Sequence, residues 1–176
     1  VRAKSGSGQL VILSGPVAAG KTTVAKELVK LATKPTAYIE GDEFWKFIAK
    51  PPPNTPRQMM FRTIVRSMFA ASMPFVNDGY EAILDFTVPP FMLEAVRARL
   101  KGQPFDYVVI KPSIETCVSR AASRPEGTIT DYTEYREFYD LFAGYEEYTI
   151  NNDDTDPASL AAIIRKDLNE DFFRIK

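Results

Sequence analysis

The chain has 176 residues, 45% of them apolar and 26% charged; that is core material for one domain and too apolar for a disordered chain, and no G-X-Y or heptad repeat marks a fibrous one. Its 22 basic and 23 acidic residues leave a net charge of −1, which gives no overall attraction to nucleic acid. With no histidine and a single cysteine, Cys117, zinc hydrolases with His ligands and imidazole-based triads are excluded, as is an internal disulfide.

In chain order, residues 1–8 read as a flexible lead rich in Ser and Gly. Gln9–Ser14 is an apolar run without alternation, as in a parallel strand covered on both faces. Gly15–Gly20 breaks it, and from Thr22 onward Val24, Leu28 and Leu31 recur at helical spacing until Pro35. Thr36–Ile39 makes a second strand, ending in Glu40-Gly41-Asp42. After a proline-rich connection, Thr55-Pro56-Arg57-Gln58 has the form of a capped helix start, with Met60, Ile64 and Met68 inward and Pro74 kinking or ending the helix. Asp78-Gly79 turns the chain into a third strand, Glu81–Phe86, and Pro89-Pro90 opens a helix through Val96 and Leu100.

Asp106–Lys111 is the fourth strand, and Ser113 caps the helix containing Val118. Arg120–Thr130 reads as a loop, and Asp131-Tyr132-Thr133-Glu134 as a second capping box before a helix with Tyr135, Phe138, Tyr139 and Phe142 on one face. Tyr148–Ile150 is a weak fifth strand. Asp156-Pro157 starts the last helix, with Leu160, Ile163, Ile164, Leu168 and Phe172 on one side. Strands alternating with helices through right-handed crossovers imply one α/β domain over 9–176, a parallel sheet between two helical layers.

Gly15-Pro16-Val17-Ala18-Ala19-Gly20-Lys21-Thr22 is a full G-x-x-x-x-G-K-T match between a strand and a helix, the context that gives this motif meaning. Glycines let the backbone curl so that successive N–H groups face phosphate oxygens, and the helix N-terminus adds partial positive charge. Lys21 is expected to bridge the outer phosphates, and the Thr22 hydroxyl is a hard ligand for Mg²⁺. The expected nucleotide-binding set is Gly15 through Thr22, with Thr23 and Arg120.

In a parallel sheet the chemistry gathers beyond the carboxyl ends of the strands. Asp42 lies just past the second strand and Asp85 ends the third. Asp85, after Ala82-Ile83-Leu84, reads as a metal-anchoring carboxylate, and Asp42 as the group that orients and deprotonates an acceptor hydroxyl. The two roles are interchangeable at this level, and each residue also suits a plain structural reading, Asp42 as a helix cap and Asp85 as a strand-end turn residue.

Arg120 and Arg124 bracket the start of the 120–130 segment and suit an arginine lid that neutralises the moving phosphoryl group; solvated arginines on a helix face are the alternative. Arg57, Arg62 and Arg66 suit either an anionic acceptor or a solvated face. Phe44, Trp45 and Phe47, just after Asp42, suit a pocket wall for the acceptor or core packing. Cys117 reads as a small buried hydrophobe.

With these residues placed, the chain resembles P-loop small-molecule kinases of the gluconate kinase and shikimate kinase type, and most of all chloramphenicol phosphotransferase and zeta-toxin-like kinases. The resemblance runs from Leu10 to about Ile164 and rests on Gly15–Thr22, Tyr38–Phe44, Ala82–Asp85 and Arg120…Arg124. It implies a five-stranded sheet in the order 2-3-1-4-5, ATP and Mg²⁺ as cofactors, and phosphorylation of a hydroxyl. It also implies Asp42 as base or acceptor anchor, Arg120 and Arg124 in the lid, and Asn151–Thr155 as the loop passing the adenine. The paired aspartates of shikimate kinases and the strand-end histidine of gluconate kinases are missing.

The expected activity is therefore transfer of the ATP γ-phosphoryl to a hydroxyl of a small molecule. Lys21, Asp42, Arg120 and Arg124 are assigned to catalysis, Thr22 and Asp85 to the metal, and Asp42, Phe44, Trp45, Arg57 and Arg62 to the acceptor. The alternatives are a zeta-type kinase of a nucleotide-sugar or macromolecular target, and a nucleotide-binding module without transfer chemistry. A cytoplasmic monomer or homodimer, with neither nucleic acid nor membrane as partner, completes the expectation.

Overall fold

The computed structural model describes residues 8–101, 103–125 and 127–175, so of the lead expected over 1–8 only Gly8 falls within the described residues. Strands β1 (Gln9–Ser14), β2 (Thr36–Glu40), β3 (Glu81–Asp85), β4 (Phe105–Ile110) and β5 (Thr149–Ile150) alternate with helices α1 (Lys21–Lys30), α2 (Arg57–Asn77), α3 (Leu93–Arg99), α4 (Ile114–Ala122), α5 (Thr133–Asp140) and α6 (Pro157–Asn169). The parallel strands lie in the order β2-β3-β1-β4-β5, as the resemblance implies. A short strand not expected from the sequence, β6 (Arg174–Ile175), pairs antiparallel with β4.

Side chains alternate across the central strands, and this builds two cores. Leu10, Ile12, Leu84, Tyr107 and Val109 pack against α2 and α3. Val11, Leu13, Ile83, Val108 and Ile110 pack against α1 and α6 through Val24, Leu28, Leu160 and Ile164. The consecutive apolar residues Leu10–Leu13 of β1, Ala82–Leu84 of β3 and Tyr107–Ile110 of β4 therefore serve both faces, which is why these strands show no alternation in sequence. A third cluster around Cys117, Ala121 and Tyr132 reaches Ala18 in the Gly15–Gly20 loop. Arg165 of α6 grips Glu81 at the start of β3 with two hydrogen bonds of 2.6 and 2.9 Å, and donates to the Leu28 carbonyl of α1.

Several expected details fall otherwise, each for a local reason. Thr55 does not cap α2: its hydroxyl donates to the Pro52 carbonyl, and the helix opens at Pro56 with no side-chain cap. Pro74 does not end α2, which runs on to Asn77. Helix α4 continues through Arg120 to Ala122, shortening the loop expected from 120. Leu31 lies past the end of α1 and is exposed, as is Ile163 on the outer side of α6.

Phe172 is 63% exposed while Phe173 is fully buried. Helix α6 stops at Asn169 and Asp171 turns left-handed (φ 57°), so the helical stripe no longer applies at 172. The Phe173 carbonyl then accepts from the Tyr107 N–H at 3.0 Å. Phe173→Ala is expected to cost about 3–5 kcal/mol in chemical denaturation, and Phe172→Ala less than about 0.5 kcal/mol. Equal losses would refute this placement.

Candidate active site

The register sets the strand ends level: Leu13 of β1 and Glu40 of β2 both pair with Asp85 of β3. The loop from β1 to α1 crosses this edge. Gly15 begins it at φ 139°, where an added Cβ would lie 2.0 Å from the Ile110 carbonyl oxygen, so only glycine fits. Gly20 ends it at φ 94° as the N-terminal residue before α1, which has no side-chain cap. The N–H groups of the first turn of α1 are thus left for an anion.

Three of the loop carbonyls are held by side chains distant in sequence. Gly15 O accepts from Thr87 Oγ1 at 3.0 Å, and Val17 O from the Tyr132 hydroxyl at 2.7 Å. Ala19 O accepts from Arg120 Nη1 at 3.2 Å and Asn152 Nδ2 at 3.0 Å. Pro16 O accepts from Lys21 Nζ at 2.9 Å.

Above the loop opens a cleft of about 390 Å³, lined by Val17, Ala18, Gly20, Lys21, Thr22, Thr23, Asp42, Asp85, Phe86, Thr87, Arg120, Ser123, Arg124 and Pro125. Burial pushes the Lys21 ammonium below its ordinary pKa, while the carboxylates of Asp85 and Asp42 pull it back up. Asp85 is 3% exposed. Burial pushes its carboxyl above the usual range, against the opposing effect of Lys21 and of hydrogen bonding to the Thr22 and Tyr38 hydroxyls. A buried carboxylate beside a threonine hydroxyl is a hard-oxygen donor set, which fits Mg²⁺ held mainly by substrate phosphates and water.

Asp42 lies inside the 3₁₀ segment Gly41–Phe47, exposed to the cleft, and makes no capping hydrogen bond. Asp85 does more than end a strand, since it faces Lys21 and accepts from Tyr38 Oη at 3.0 Å.

Of the remaining expected residues, Arg124 lines the cleft and is exposed. Arg120 also reaches it, but from the last turn of α4 and fastened to the Ala19 and Asn152 carbonyls, the latter at 3.0 Å. It therefore stands in helix α4 and not in the loop expected from 120. Gly15, Pro16 and Ala19 shape the loop without lining the cleft. Phe44 and Trp45 pack half-buried against the α2-side core, and Arg57 lies 4.8 Å over the Trp45 ring. Arg62 and Arg66 are exposed on α2. These aromatic residues and α2 arginines stand outside the cleft lining.

Sequence reading missed Tyr38, Thr87 and the contact of Tyr132 with the loop. Tyr38 lies two residues before Glu40 on β2 and reaches Asp85 from the neighbouring strand, and Thr87 lies two residues past the end of β3. Nothing local marks Tyr132, whose partner lies 115 residues away.

The loop, the strand order and the helices on both faces define a P-loop α/β domain of the nucleoside-triphosphatase type. A family model described as "AAA domain" (AAA_33) matches residues 10–137, and the chain belongs to that family. No curated protein matches the chain significantly. Among solved structures, the tunicamycin resistance protein of Deinococcus radiodurans is similar at TM-score 0.72 and 14% identity, over 92% of this chain and 95% of that one. The APS kinase of Mycobacterium tuberculosis, in complex with AMPPNP and APS, is similar at TM-score 0.66 and 15% identity, over 93% and 98%. The shikimate kinase of Acinetobacter baumannii, in complex with shikimate, is similar at TM-score 0.66 and 18% identity, over 94% and 95%. At such identities the likeness is one of fold: a kinase-like P-loop fold with small-molecule kinases among its neighbours.

Proposed function

We propose that the protein is an ATP- and Mg²⁺-dependent phosphotransferase acting on a hydroxyl of a small molecule. The observation that carries the reading is the convergence of Lys21, Thr22, Asp42, Asp85 and Arg124 on one cleft above the P-loop. In this reading the loop N–H groups and Lys21 bind the β- and γ-phosphates. Thr22 and Asp85 would hold Mg²⁺, which when bound neutralises charge on the phosphate oxygens.

Asp42 accepts the proton of the acceptor hydroxyl as its oxygen bonds to the γ-phosphorus. The bond from that phosphorus to the β–γ bridging oxygen breaks, and ADP leaves. Lys21 and Arg124 stabilise the charge spread over the transferred group. Arg120, held on the far side of the Ala19 carbonyl, fixes the loop and borders the nucleotide. A cytoplasmic setting suits a chain whose one cysteine is a buried free thiol, and among the described residues no helix is long and apolar enough to cross a membrane.

The test is ADP release with Mg²⁺–ATP against sugars, sugar acids, aminoglycosides, chloramphenicol-like amides and nucleosides, with Lys21→Ala as the blank. One class should stimulate turnover at least about tenfold over the blank, in keeping with the usual weight of a phosphate-contacting cation. Tight ATP binding with no stimulated turnover by any class would overturn the small-molecule reading in favour of a macromolecular target or a non-transferring module.

A further inference from the structure

We propose that Tyr132 is a positioning residue for nucleotide binding, acting through the peptide between Val17 and Ala18. The proposal rests on the reading of Gly15–Thr22 as the nucleotide loop. Tyr132 is 5% exposed, packed with Ala18, Cys117 and Ala121. Its hydroxyl, which a buried tyrosine must satisfy, donates to the Val17 carbonyl at 2.7 Å.

In a planar trans peptide the carbonyl and the following N–H point in opposite directions. Drawing Val17 O out of the loop toward Tyr132 therefore turns the Ala18 N–H the other way, toward the cleft that Ala18 lines. Among the described residues, that N–H donates to no backbone carbonyl. Ala18 itself is left-handed, at φ 62°, a conformation that a side-chain-bearing residue disfavours. Left alone, this peptide would rotate to relieve Ala18, and the N–H would leave the anion site. Tyr132 opposes that rotation before any ligand arrives, so ligand binding need not bear the reordering.

Tyr139 supplies a matched control. Its hydroxyl, also on the α5 segment, donates to a backbone carbonyl at 2.9 Å, but to that of Pro112 and not of a loop residue, while its ring packs against the same cluster as Tyr132 and Ala18. Binding of ADP is measured by isothermal titration calorimetry well below each variant's melting temperature. Tyr132→Phe is expected to raise the Kd about five- to tenfold, the scale of one buried hydrogen bond, and Tyr139→Phe to change it less than about twofold. An unchanged Kd in folded Tyr132→Phe, or equal weakening in both variants, would overturn the proposal and leave the nucleotide reading standing. No ADP or ATP binding by the wild-type chain would remove that reading and the proposal with it.

Discussion

Asp42→Asn should lower turnover by about 10²–10⁴-fold, the usual weight of a positioned general base, with ATP and ADP affinity changed less than about threefold. The separation follows from the site. Asp42 comes from the segment after β2 and makes no bond to the phosphate loop, whose shape depends on Thr87, Tyr132, Arg120 and Asn152. Removing its charge leaves those contacts intact and keeps a side chain of equal size. Single-turnover kinetics beside calorimetric nucleotide binding would read the two effects apart. Equal loss of both would refute the assignment, and loss of nucleotide affinity alone would move Asp42 to the metal.

Gly15→Ala should cost at least about 3 kcal/mol of stability from backbone strain and forced overpacking. Its Cβ would meet the Ile110 carbonyl oxygen at 2.0 Å, and that oxygen belongs to β4, next to β1 in the sheet. Neither strand can yield without disturbing their pairing. Gly20→Ala makes the comparison sharp. Gly20 is also at positive φ, but its nearest neighbours would be side-chain atoms of Asn152 and Arg120 at 3.6 and 3.7 Å. Only the backbone preference remains there, about 1–2 kcal/mol. Thermal and urea unfolding of the two variants would show whether crowding or backbone angle dominates; equal costs would exclude the crowding argument.

The loop and its two acids were legible because each depends on short-range rules. A strand, a glycine-rich turn and a helix set out Gly15–Thr22, and a parallel sheet leaves the strand-end residues Asp42 and Asp85 at one edge. The strand order came from the resemblance, because periodicity says which segments are strands and not which are neighbours. Illegible features share one trait: their partner is distant or their backbone departs from the regular repeat. Arg120 read as the start of a loop because the helix end was placed too early, and its contact with Ala19 spans 101 positions. Phe172 falls outside the core, and its neighbour Phe173 inside it, because one left-handed residue, Asp171, breaks the helical count. Thr55 failed to cap because the turn at Pro52 took its hydroxyl first.

The family match ends at residue 137, yet the helix that begins with Lys21 leans on α6, twenty residues further along. Leu160, Ala161 and Ile164 of α6 share a core with Val24, Ala25 and Leu28, and Arg165 reaches both the Leu28 carbonyl and Glu81. The stretch that the family model matches is therefore shorter than the unit whose helices pack together. In hydrogen exchange, α1 amides should keep time with those of α6, because the phosphate-facing helix cannot loosen without its distant neighbour. A fragment cut at the family boundary would carry the motif without the support that keeps it in shape.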